Sequence, residues 1–308
     1  MKPLKPVNLN LRSVTIQDIE NHKLISDEAL ARDLNNLKRF KADTNENSFA
    51  GNPFLYHYQF KNLMRCARAD GKTFYDTWND PVQRDKLILD TQKRNRGGAT
   101  AAGNIFECHR INKGSVVMFK ATTAKYLYKK YGATSVLDPT AGWGGRLLGA
   151  WALDIDYTGM DTNIEMRPAY DAMLARLAQE GNPLFKASNQ QMLWGSCLDQ
   201  DFSVLEYDFV LTSPPYVNLE IYEHMSPWES DELFYRGFFI PLWQKCVDHI
   251  KPGGHVAFNI SPKMYEDAVK YGLPACHEEE DLKQQMGQRS ELLKTGKKKQ
   301  DKIYVWKC

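Results

Sequence analysis

The chain has 308 residues, enough for one large domain or for one domain with an appendage. Hydrophobic residues make up 43% and aromatic residues 12%, a composition that excludes a disordered chain. The formal net charge of +2 excludes a strong global field, although residues 1–112 hold 18 Lys+Arg against 13 Asp+Glu.

Cysteine and histidine spacing points away from metal binding. The six cysteines form no Cys-x-x-Cys pair and, with the histidines, no cluster of zinc-ligand spacing, so we expect no metal. The chain starts without a signal-like segment, and no apolar run nears the roughly 18 residues of a membrane span. These features predict a reduced, cytoplasmic protein without a membrane partner.

Residues 1–112 show no regular alternation of strand and helix, which predicts a mostly helical N-terminal extension. A helix is expected over 26–42. The aromatic and basic residues of 54–68 are compatible with nucleic-acid contact, but their spacing also suits a helix that packs on the main domain, which we favour. A second basic run occupies 294–302. The two basic segments fit a nucleic-acid partner, although either alone is as well explained by a solvated surface.

From about residue 115 short apolar runs alternate with helical patterns. Strands are predicted at 135–138, 156–160, 192–197, 207–212, 255–260 and 303–307. Helices are predicted at 144–152, 163–179 and 229–250. This alternation implies an α/β fold with a parallel sheet that carries helices on both faces. We therefore divide the chain into an extension, 1–112, and a main domain, 113–308.

A glycine-rich turn follows the first predicted strand and reads Asp138-Pro139-Thr140-Ala141-Gly142-Trp143-Gly144-Gly145-Arg146. Open α/β sheets bind ligands at the carboxyl ends of their strands, and glycines let the backbone approach a ligand closely. The spacing is not G-x-G-x-x-G, which disfavours a dinucleotide site, and the absence of G-K-[ST] excludes a P-loop.

Asp161 comes directly after the second predicted strand, 23 residues beyond Asp138. A carboxylate at this place accepts hydrogen bonds from both hydroxyls of a ribose in nucleotide-binding α/β folds. The alternative is an N-cap for the helix that follows. The spacing favours the ribose role.

The fourth predicted strand ends in Thr212-Ser213-Pro214-Pro215-Tyr216. Two successive prolines remove two backbone donors but keep their carbonyl acceptors. A carbonyl and a serine hydroxyl can hold an amino group and orient its lone pair, while Tyr216 offers a flat face for a base.

Together these motifs resemble those of the amino-group DNA methyltransferases, which make N4-methylcytosine or N6-methyladenine. The resemblance covers roughly 115–262 and the last strand, and it implies a Rossmann-like methyltransferase sheet and S-adenosyl-L-methionine as cofactor. It implies catalytic roles for Ser213, Pro214, Pro215 and Tyr216. It implies cofactor contacts from Phe119, Asp138, Thr140, Ala141, Gly142, Gly144, Asp161 and Ser196.

The order of the motifs, with the cofactor motif first and no large insertion, differs from the permuted arrangement in which the catalytic motif comes first. A target-recognition region would then lie in 1–112 or in 262–300. The chain departs from the family at Gly145-Arg146, where a threonine often follows the last glycine of the motif. Arg146 is therefore expected to make a contact that the family pattern lacks.

The resemblance implies methylation of a flipped DNA base, with N4 of cytosine favoured over N6 of adenine because the first catalytic position is Ser213. Open alternatives are a base amino group in RNA, a non-catalytic nucleic-acid-binding subunit, or a modified base or small metabolite. The oligomeric state and membership of a restriction-modification system, as opposed to an orphan or phage enzyme, stay open.

Four further residues carry weaker signals. Cys197 lacks a Pro-Cys context and is expected to be a small core residue, not a nucleophile. Tyr222 is expected to border the target pocket or to lie in the core, and His224 to lie in the loop after the catalytic motif. For Asn259 a structural role at a sheet edge is favoured over a place in the site.

Overall fold

The computed structural model describes residues 10–44, 48–67, 70–94, 100–114, 116–180, 188–215, 228–281 and 301–308. The chain divides into two compact units. The first unit consists of Met1–Ser26 and Tyr56–Val117, and the second of Asp27–Leu55 and Met118–Cys308. Residues 27–55 thus belong to the unit that contains the sheet, whereas the sequence-based division places them in the extension.

The regular structure of the first unit is helical throughout its described part. Its helices are α1 (Ile16–Glu20), α3 (Asn52–Arg65), α4 (Phe74–Asn79), α5 (Pro81–Arg94) and α6 (Ala101–Lys113). Helix α3 begins four residues before Tyr56, the boundary of this unit. Capping boxes begin α1 and α4, where Thr15 pairs with Asp18 and Thr73 with Asp76. Phe60, from the aromatic and basic stretch, is buried in the core of this unit, so that face of α3 serves packing.

The second unit contributes the remaining helices. They are α2 (Asp27–Arg39), α7 (Ala121–Lys130), α8 (Gly145–Trp151), α9 (Arg167–Gln179), α10 (Asp231–Phe234), α11 (Ile240–His249) and α12 (Pro262–Lys270). A π-helical turn, Tyr235–Phe239, joins α10 to α11, so the single helix expected over 229–250 is divided. Helices α7 and α8 approach closely because Gly149 has no Cβ, which would lie 2.6 Å from Ala124 Cβ.

A seven-stranded sheet organises the second unit in the order β3-β2-β1-β4-β5-β7-β6. The strands are β1 (Ser135–Asp138), β2 (Asp156–Asp161), β3 (Gln190–Trp194), β4 (Phe209–Thr212), β5 (His255–Ile260), β6 (Glu278–Asp281) and β7 (Lys302–Lys307). The first five strands pair in parallel, and β7 runs antiparallel between β5 and β6.

The strand order reverses between β1 and β4. Helices α8 and α9 follow β1 and β2, whereas α11 follows β4. Because such crossovers are right-handed in nearly all proteins, this reversal puts α8 and α9 on one face of the sheet and α11 on the other. The predicted fold class, a Rossmann-like α/β sheet with helices on both faces and a mostly helical N-terminal extension, is confirmed.

The reversal has a consequence for ligands, since open sheets bind them outside the carboxyl ends of the strands at such a switch point. The loops after β1 and β4 are neighbours there, although about 70 residues of sequence separate them. No helix among the described residues is both long enough and apolar enough to cross a membrane.

Candidate active site

Two threonines join the loop after β1 to the loop after β4. The backbone N–H of Thr140 donates to Thr212 Oγ1 over 3.1 Å, and the two hydroxyl oxygens lie 2.6 Å apart. Thr212 is fully buried at the end of β4, so its hydroxyl has a fixed place. The glycine-rich turn and the start of the Ser-Pro-Pro motif are therefore held against each other.

Arg146 strengthens this connection from inside the protein. The residue is 3% exposed, and its Nε donates to Asp138 Oδ2 over 2.6 Å. Its Nη2 donates to the carbonyl of Thr140, and its Nη1 donates to Ser213 Oγ over 2.9 Å. Burial opposes the guanidinium charge, but Asp138, through charge attraction and hydrogen bonding, raises the pKa of Arg146 above its usual range. The contact that the family pattern lacks is thus a bridge between the two motifs.

Asp138 is fully buried, and this environment bears on its predicted contact with a cofactor. Its Oδ2 accepts from Arg146 and also from the hydroxyl of Tyr157 over 2.8 Å. Its Oδ1 is buried and has no hydrogen-bond partner among the described residues. We therefore assign Asp138 the role of holding the loop through Arg146, while direct contact with a cofactor stays a prediction.

Ser213 lies where the two motifs meet. Besides Arg146, the side-chain amide of Asn259 donates to Ser213 Oγ, over 3.0 Å. Pro214 is buried and Pro215 half-buried beside it. Tyr216, with Tyr222 and His224, lies outside the described residues, so the expectations for these three side chains stay predictions.

The placement of Asn259 corrects the sequence-based preference for a sheet edge. Strand β5 lies in the interior of the sheet between β4 and β7. Thr212 is the register partner of Phe258, so Asn259 comes level with Ser213. An amide on a mostly apolar strand is consequently directed at the candidate site, where it contacts Ser213 of the Ser-Pro-Pro motif.

Asp161 ends β2 and holds the middle of the glycine-rich turn. Its Oδ2 accepts from the N–H of Gly142 over 2.9 Å, and its Oδ1 accepts from the N–H of Asn163 at the same distance. Burial raises the pKa of Asp161 to about 6, although these two N–H donors act in the opposite direction. Each carboxylate oxygen has more than one acceptor position, so both retain the capacity to bind ligand hydroxyls.

Gly142 leaves room beside Asp161. Its φ is +58°, in the left-handed region that favours glycine, and among the described residues a Cβ would meet nothing closer than the Thr140 carbonyl oxygen at 4.0 Å. The hydroxyl of Tyr170 donates to the carbonyl of Gly142 over 2.8 Å, and this hydrogen bond fixes the orientation of the peptide that follows Gly142. The turn therefore offers open space next to a carboxylate.

The other predicted cofactor residues on these turns are engaged within the protein. Ala141 is buried, and its N–H donates to the carbonyl of Met160 over 2.8 Å. Gly144 is the N-cap residue of α8 with a φ of +86°, and a Cβ there would lie 2.7 Å from Met173 Cε. Ser196 Oγ accepts from the N–H of Leu198 over 3.2 Å in the turn after β3. Cofactor contacts by these residues stay predictions.

Phe119 contacts the turn through its backbone and its ring. A Cβ on Gly145 would stand 1.8 Å from the Phe119 carbonyl oxygen, which explains why glycine occupies the position where the family often has threonine. The Phe119 ring centroid lies 5.3 Å from the Arg146 guanidinium carbon, a distance suited to a cation–π contact. The structure thus brings Phe119 to the glycine-rich turn.

Cys197 lies in the core of the second unit and is 4% exposed. Burial raises the pKa of its thiol to about 12, so the thiol is protonated near neutral pH. A protonated, buried thiol is a poor nucleophile, which agrees with the role expected for this cysteine.

Several residues of the cluster carried little or no signal in the sequence. Tyr157 and Tyr170 read as ordinary core aromatics, yet their hydroxyls hold Asp138 and Gly142. The one usable signal for Asn259 was its polarity within the apolar strand β5. Arg146 could be singled out because it replaces part of the family motif, but its partners could not.

No protein-family model and no curated protein matches the sequence. Among solved structures, TrmN from Thermus thermophilus is 17% identical, with a TM-score of 0.43 over 60% of this chain and 48% of that chain. An rRNA methylase from Streptococcus thermophilus is 12% identical, with a TM-score of 0.39 over 62% of this chain and 97% of its own.

A third solved structure is an RNA methyltransferase from Salinibacter ruber in complex with S-adenosyl-L-homocysteine. It is 14% identical, with a TM-score of 0.36 over 62% of this chain and 93% of that chain. All three structures are less than 20% identical to this chain.

Proposed function

We propose that this chain transfers a methyl group from S-adenosyl-L-methionine to the exocyclic amino group of a base in nucleic acid. The observation that carries the proposal is the junction of the two loops. Arg146 and the Thr140–Thr212 pair hold the glycine-rich turn against the Ser-Pro-Pro motif. A cofactor on the first loop and an amino group on the second would then be neighbours, as direct transfer requires.

The turn after β1 fits the proposed cofactor by the chemistry of its donors and acceptors. The Asp161 carboxylate is suited to the two hydroxyls of a ribose, and Gly142 leaves space beside it. Phe119, Asp138, Thr140, Ala141, Gly144 and Ser196 complete the proposed cofactor set. When bound, S-adenosyl-L-methionine would supply an electrophilic methyl group on a sulfonium centre.

The Ser-Pro-Pro-Tyr motif would hold the acceptor base. The Pro214 carbonyl accepts a hydrogen bond from the amino group, Pro215 stiffens the backbone, and Tyr216 stacks on the base. With the cofactor bound, the amino nitrogen would take its methyl group, S-adenosyl-L-homocysteine would leave with the electron pair of the methyl–sulfur bond, and one amino proton would pass to water. These residues accelerate transfer by positioning and by electrostatic complementarity, without a covalent intermediate on the protein.

DNA is the proposed nucleic acid, and N4 of cytosine the proposed atom, on the strength of the motif resemblance. RNA is the second candidate, because two of the solved structures described above are an rRNA methylase and an RNA methyltransferase. Their identities to this chain are too low to decide between the two. Residues 1–112 and 262–300 stay the proposed places for target recognition, although only 262–281 of the latter range is described.

The function is tested with methyl-labelled S-adenosyl-L-methionine, DNA or RNA as acceptor, and mass spectrometry of the nucleosides after digestion. We expect label on an exocyclic amino nitrogen. Label on a ring carbon would contradict the proposed chemistry. Binding of S-adenosyl-L-homocysteine without transfer to any acceptor would favour a non-catalytic subunit.

Tyr216→Ala removes the proposed stacking face and should lower methyl transfer at least about 100-fold, if stacking contributes the upper part of its usual range. Calorimetric affinity for S-adenosyl-L-homocysteine should stay within about twofold, because the ring acts on the base. Tyr216→Phe is the matched control, since it keeps the aromatic face and should keep most of the activity. Near-normal turnover by Tyr216→Ala would disprove the proposed role of this residue.

A further inference from the structure

The hydroxyl of Ser213 is already the acceptor of two hydrogen bonds. Arg146 Nη1 donates to it over 2.9 Å and Asn259 Nδ2 over 3.0 Å. A serine hydroxyl has two lone pairs and one O–H, and a guanidinium has donors only. With both lone pairs engaged, the O–H is what Ser213 has left to offer a ligand.

The two donors are held in place by the surrounding protein. Arg146 is 3% exposed, and Asp138, the Thr140 carbonyl and the Phe119 ring hold its guanidinium on three sides. Asn259 is 7% exposed on an interior strand. Neither donor can turn away from Ser213 without leaving a buried polar group unpaired, which is costly.

We propose that Ser213 donates its hydroxyl hydrogen to the target base, and that it thereby recognises an unprotonated ring nitrogen beside the exocyclic amino group. This inference rests on the proposed function. The Pro214 carbonyl next to it accepts from the amino group itself. The motif therefore presents a donor and an acceptor side by side.

This donor–acceptor pair complements one kind of base edge. Cytosine presents N3 as acceptor beside its N4 amino donor, and adenine presents N1 as acceptor beside its N6 amino donor. Uracil, and guanine at N1 and O6, present the reverse order of donor and acceptor. Ser213 is thus a specificity-determining residue for an amidine edge, which cytosine presents at N3 and N4, adenine at N1 and N6, and guanine at N3 and N2. It does not separate these edges from one another.

The donor role also changes what Ser213 contributes to the rate. A hydrogen bond to the ring nitrogen draws the amino lone pair toward the ring, so it does not make that nitrogen a better nucleophile. Ser213 consequently selects and orients the base, whereas the Pro214 carbonyl polarises the amino group. Removal of the hydroxyl should appear mainly in KM and only weakly in kcat.

The reversed orientation of the Asn259 amide is the competing arrangement. Its oxygen, which is buried without a hydrogen-bond partner among the described residues, would then accept the Ser213 O–H. One Ser213 lone pair would become free to accept from the amino group. In that case removal of the hydroxyl should lower kcat, and the base would not need its ring nitrogen.

The experiment compares two acceptors with the intact protein, once the labelling assay has identified the methylated base. One oligonucleotide carries the natural base, and the other carries its analogue with C–H in place of the ring nitrogen, 3-deazacytosine or 1-deazaadenine. We expect the wild-type protein to lose about tenfold in kcat/KM on the analogue, chiefly through KM, as for one lost hydrogen bond near the top of its usual range.

Variants of the same site test whether the preference for the natural base depends on the Ser213 hydroxyl. Ser213→Ala should use both acceptors with equal, reduced kcat/KM, and Ser213→Thr, which keeps a hydroxyl, should restore the preference. Asn259→Asp should abolish the preference, because the introduced carboxylate accepts the Ser213 O–H. Ser203→Ala, the same change at an exposed turn, should behave as wild type.

The outcomes separate this inference from the proposed function. Methyl transfer that is equal on both acceptors with the wild-type protein would overturn the donor role and leave the function standing. Retained preference in Asn259→Asp would also overturn it, because another group would then recognise the ring nitrogen. A loss in kcat alone in Ser213→Ala would overturn it in favour of the reversed amide. Absence of transfer to any natural base would defeat the proposed function and this inference with it.

Discussion

The two ends of the parallel strands use carboxylates in different ways. At the amino ends, Asp208 accepts from the N–H groups of Thr134 and Ser135 over 3.0–3.1 Å, and Asp156 accepts from the N–H of Asn189 over 2.7 Å. Thr134 and Asp156 are exposed to solvent. These contacts satisfy backbone donors at the start of strands and cost little.

At the carboxyl ends, Asp138 and Asp161 end strands β1 and β2 and lie at the candidate site. Asp138 is fully buried against Arg146, and burial raises the pKa of Asp161 to about 6. Buried charges are expensive unless they are paired, so a protein that needed only strand caps would not keep them. The same residue type thus caps strands at one end of the sheet and lies at the proposed binding site at the other end.

The largest expected effect comes from removing one partner of the buried Arg146–Asp138 ion pair. Arg146→Met leaves Asp138 charged and buried without its partner, so the free energy of unfolding should fall by about 3–5 kcal/mol. Asp208→Asn is the matched change at the amino ends and should cost about 1 kcal/mol. Urea unfolding followed by circular dichroism measures both.

A second variant tests the cause of the Arg146→Met effect. Adding Asp138→Asn removes the unpaired charge and should recover part of the lost free energy. A cost for Arg146→Met no larger than that for Asp208→Asn would show that the buried pair does not hold the loop.

The next effect concerns two glycines at opposite ends of the strands. In Gly145→Ala the new Cβ would lie 1.8 Å from the Phe119 carbonyl oxygen. In Gly254→Ala the new Cβ would lie 2.6 Å from the backbone carbonyl oxygen of Asp208. Both changes overpack against backbone, so each should destabilise by roughly 1–3 kcal/mol, with Gly145→Ala at or above the upper end. Thermal unfolding of the two variants provides the comparison, and a smaller shift for Gly145→Ala would contradict it.

The smallest expected effect concerns the affinity for S-adenosyl-L-homocysteine, for which Asp161 and Asp156 at the two ends of β2 should differ. Only the ionised Asp161 carboxylate accepts from two ribose hydroxyls, and its pKa lies near 6. Affinity for S-adenosyl-L-homocysteine should therefore be full above about pH 7 and should fall as pH drops through 6. At pH 5 it should be about tenfold weaker, since one pKa unit is one factor of ten.

Two variants of β2 check this assignment by calorimetry. Asp161→Asn should lower the affinity about tenfold or more at pH 7.5 and should flatten its pH dependence. Asp156→Asn, on the amino end of the same strand, should keep both within about twofold. A pH profile unchanged by Asp161→Asn would place the titrating group elsewhere.

The sequence predicted most strands because their chemistry is local. Strands β1 and β5 were predicted at their observed bounds, since each is a short apolar run with a turn signal close by. Strand β3 was predicted two to three residues too late, and β6 was missed. Its residues Glu278–Asp281 lack any apolar alternation, and their carboxylates pair with Lys130 and Lys302. Charged residues suit an edge strand, so the pattern that identifies interior strands does not apply.

Residue type and short spacing define the alternation of strands and helices, the glycine-rich turn, Asp161 and the Ser-Pro-Pro-Tyr motif, so these features follow from the sequence alone. The partners of Ser213 depend on the tertiary fold. Its two donors come from 67 residues before it and 46 residues after it. They meet because β4 pairs with β1 on one side and with β5 on the other, and strand order is set by packing of the whole sheet. The motif by itself indicates only that the serine hydroxyl can hold an amino group, whereas the fold directs two donors at Ser213 Oγ, which is the basis of its proposed donor role.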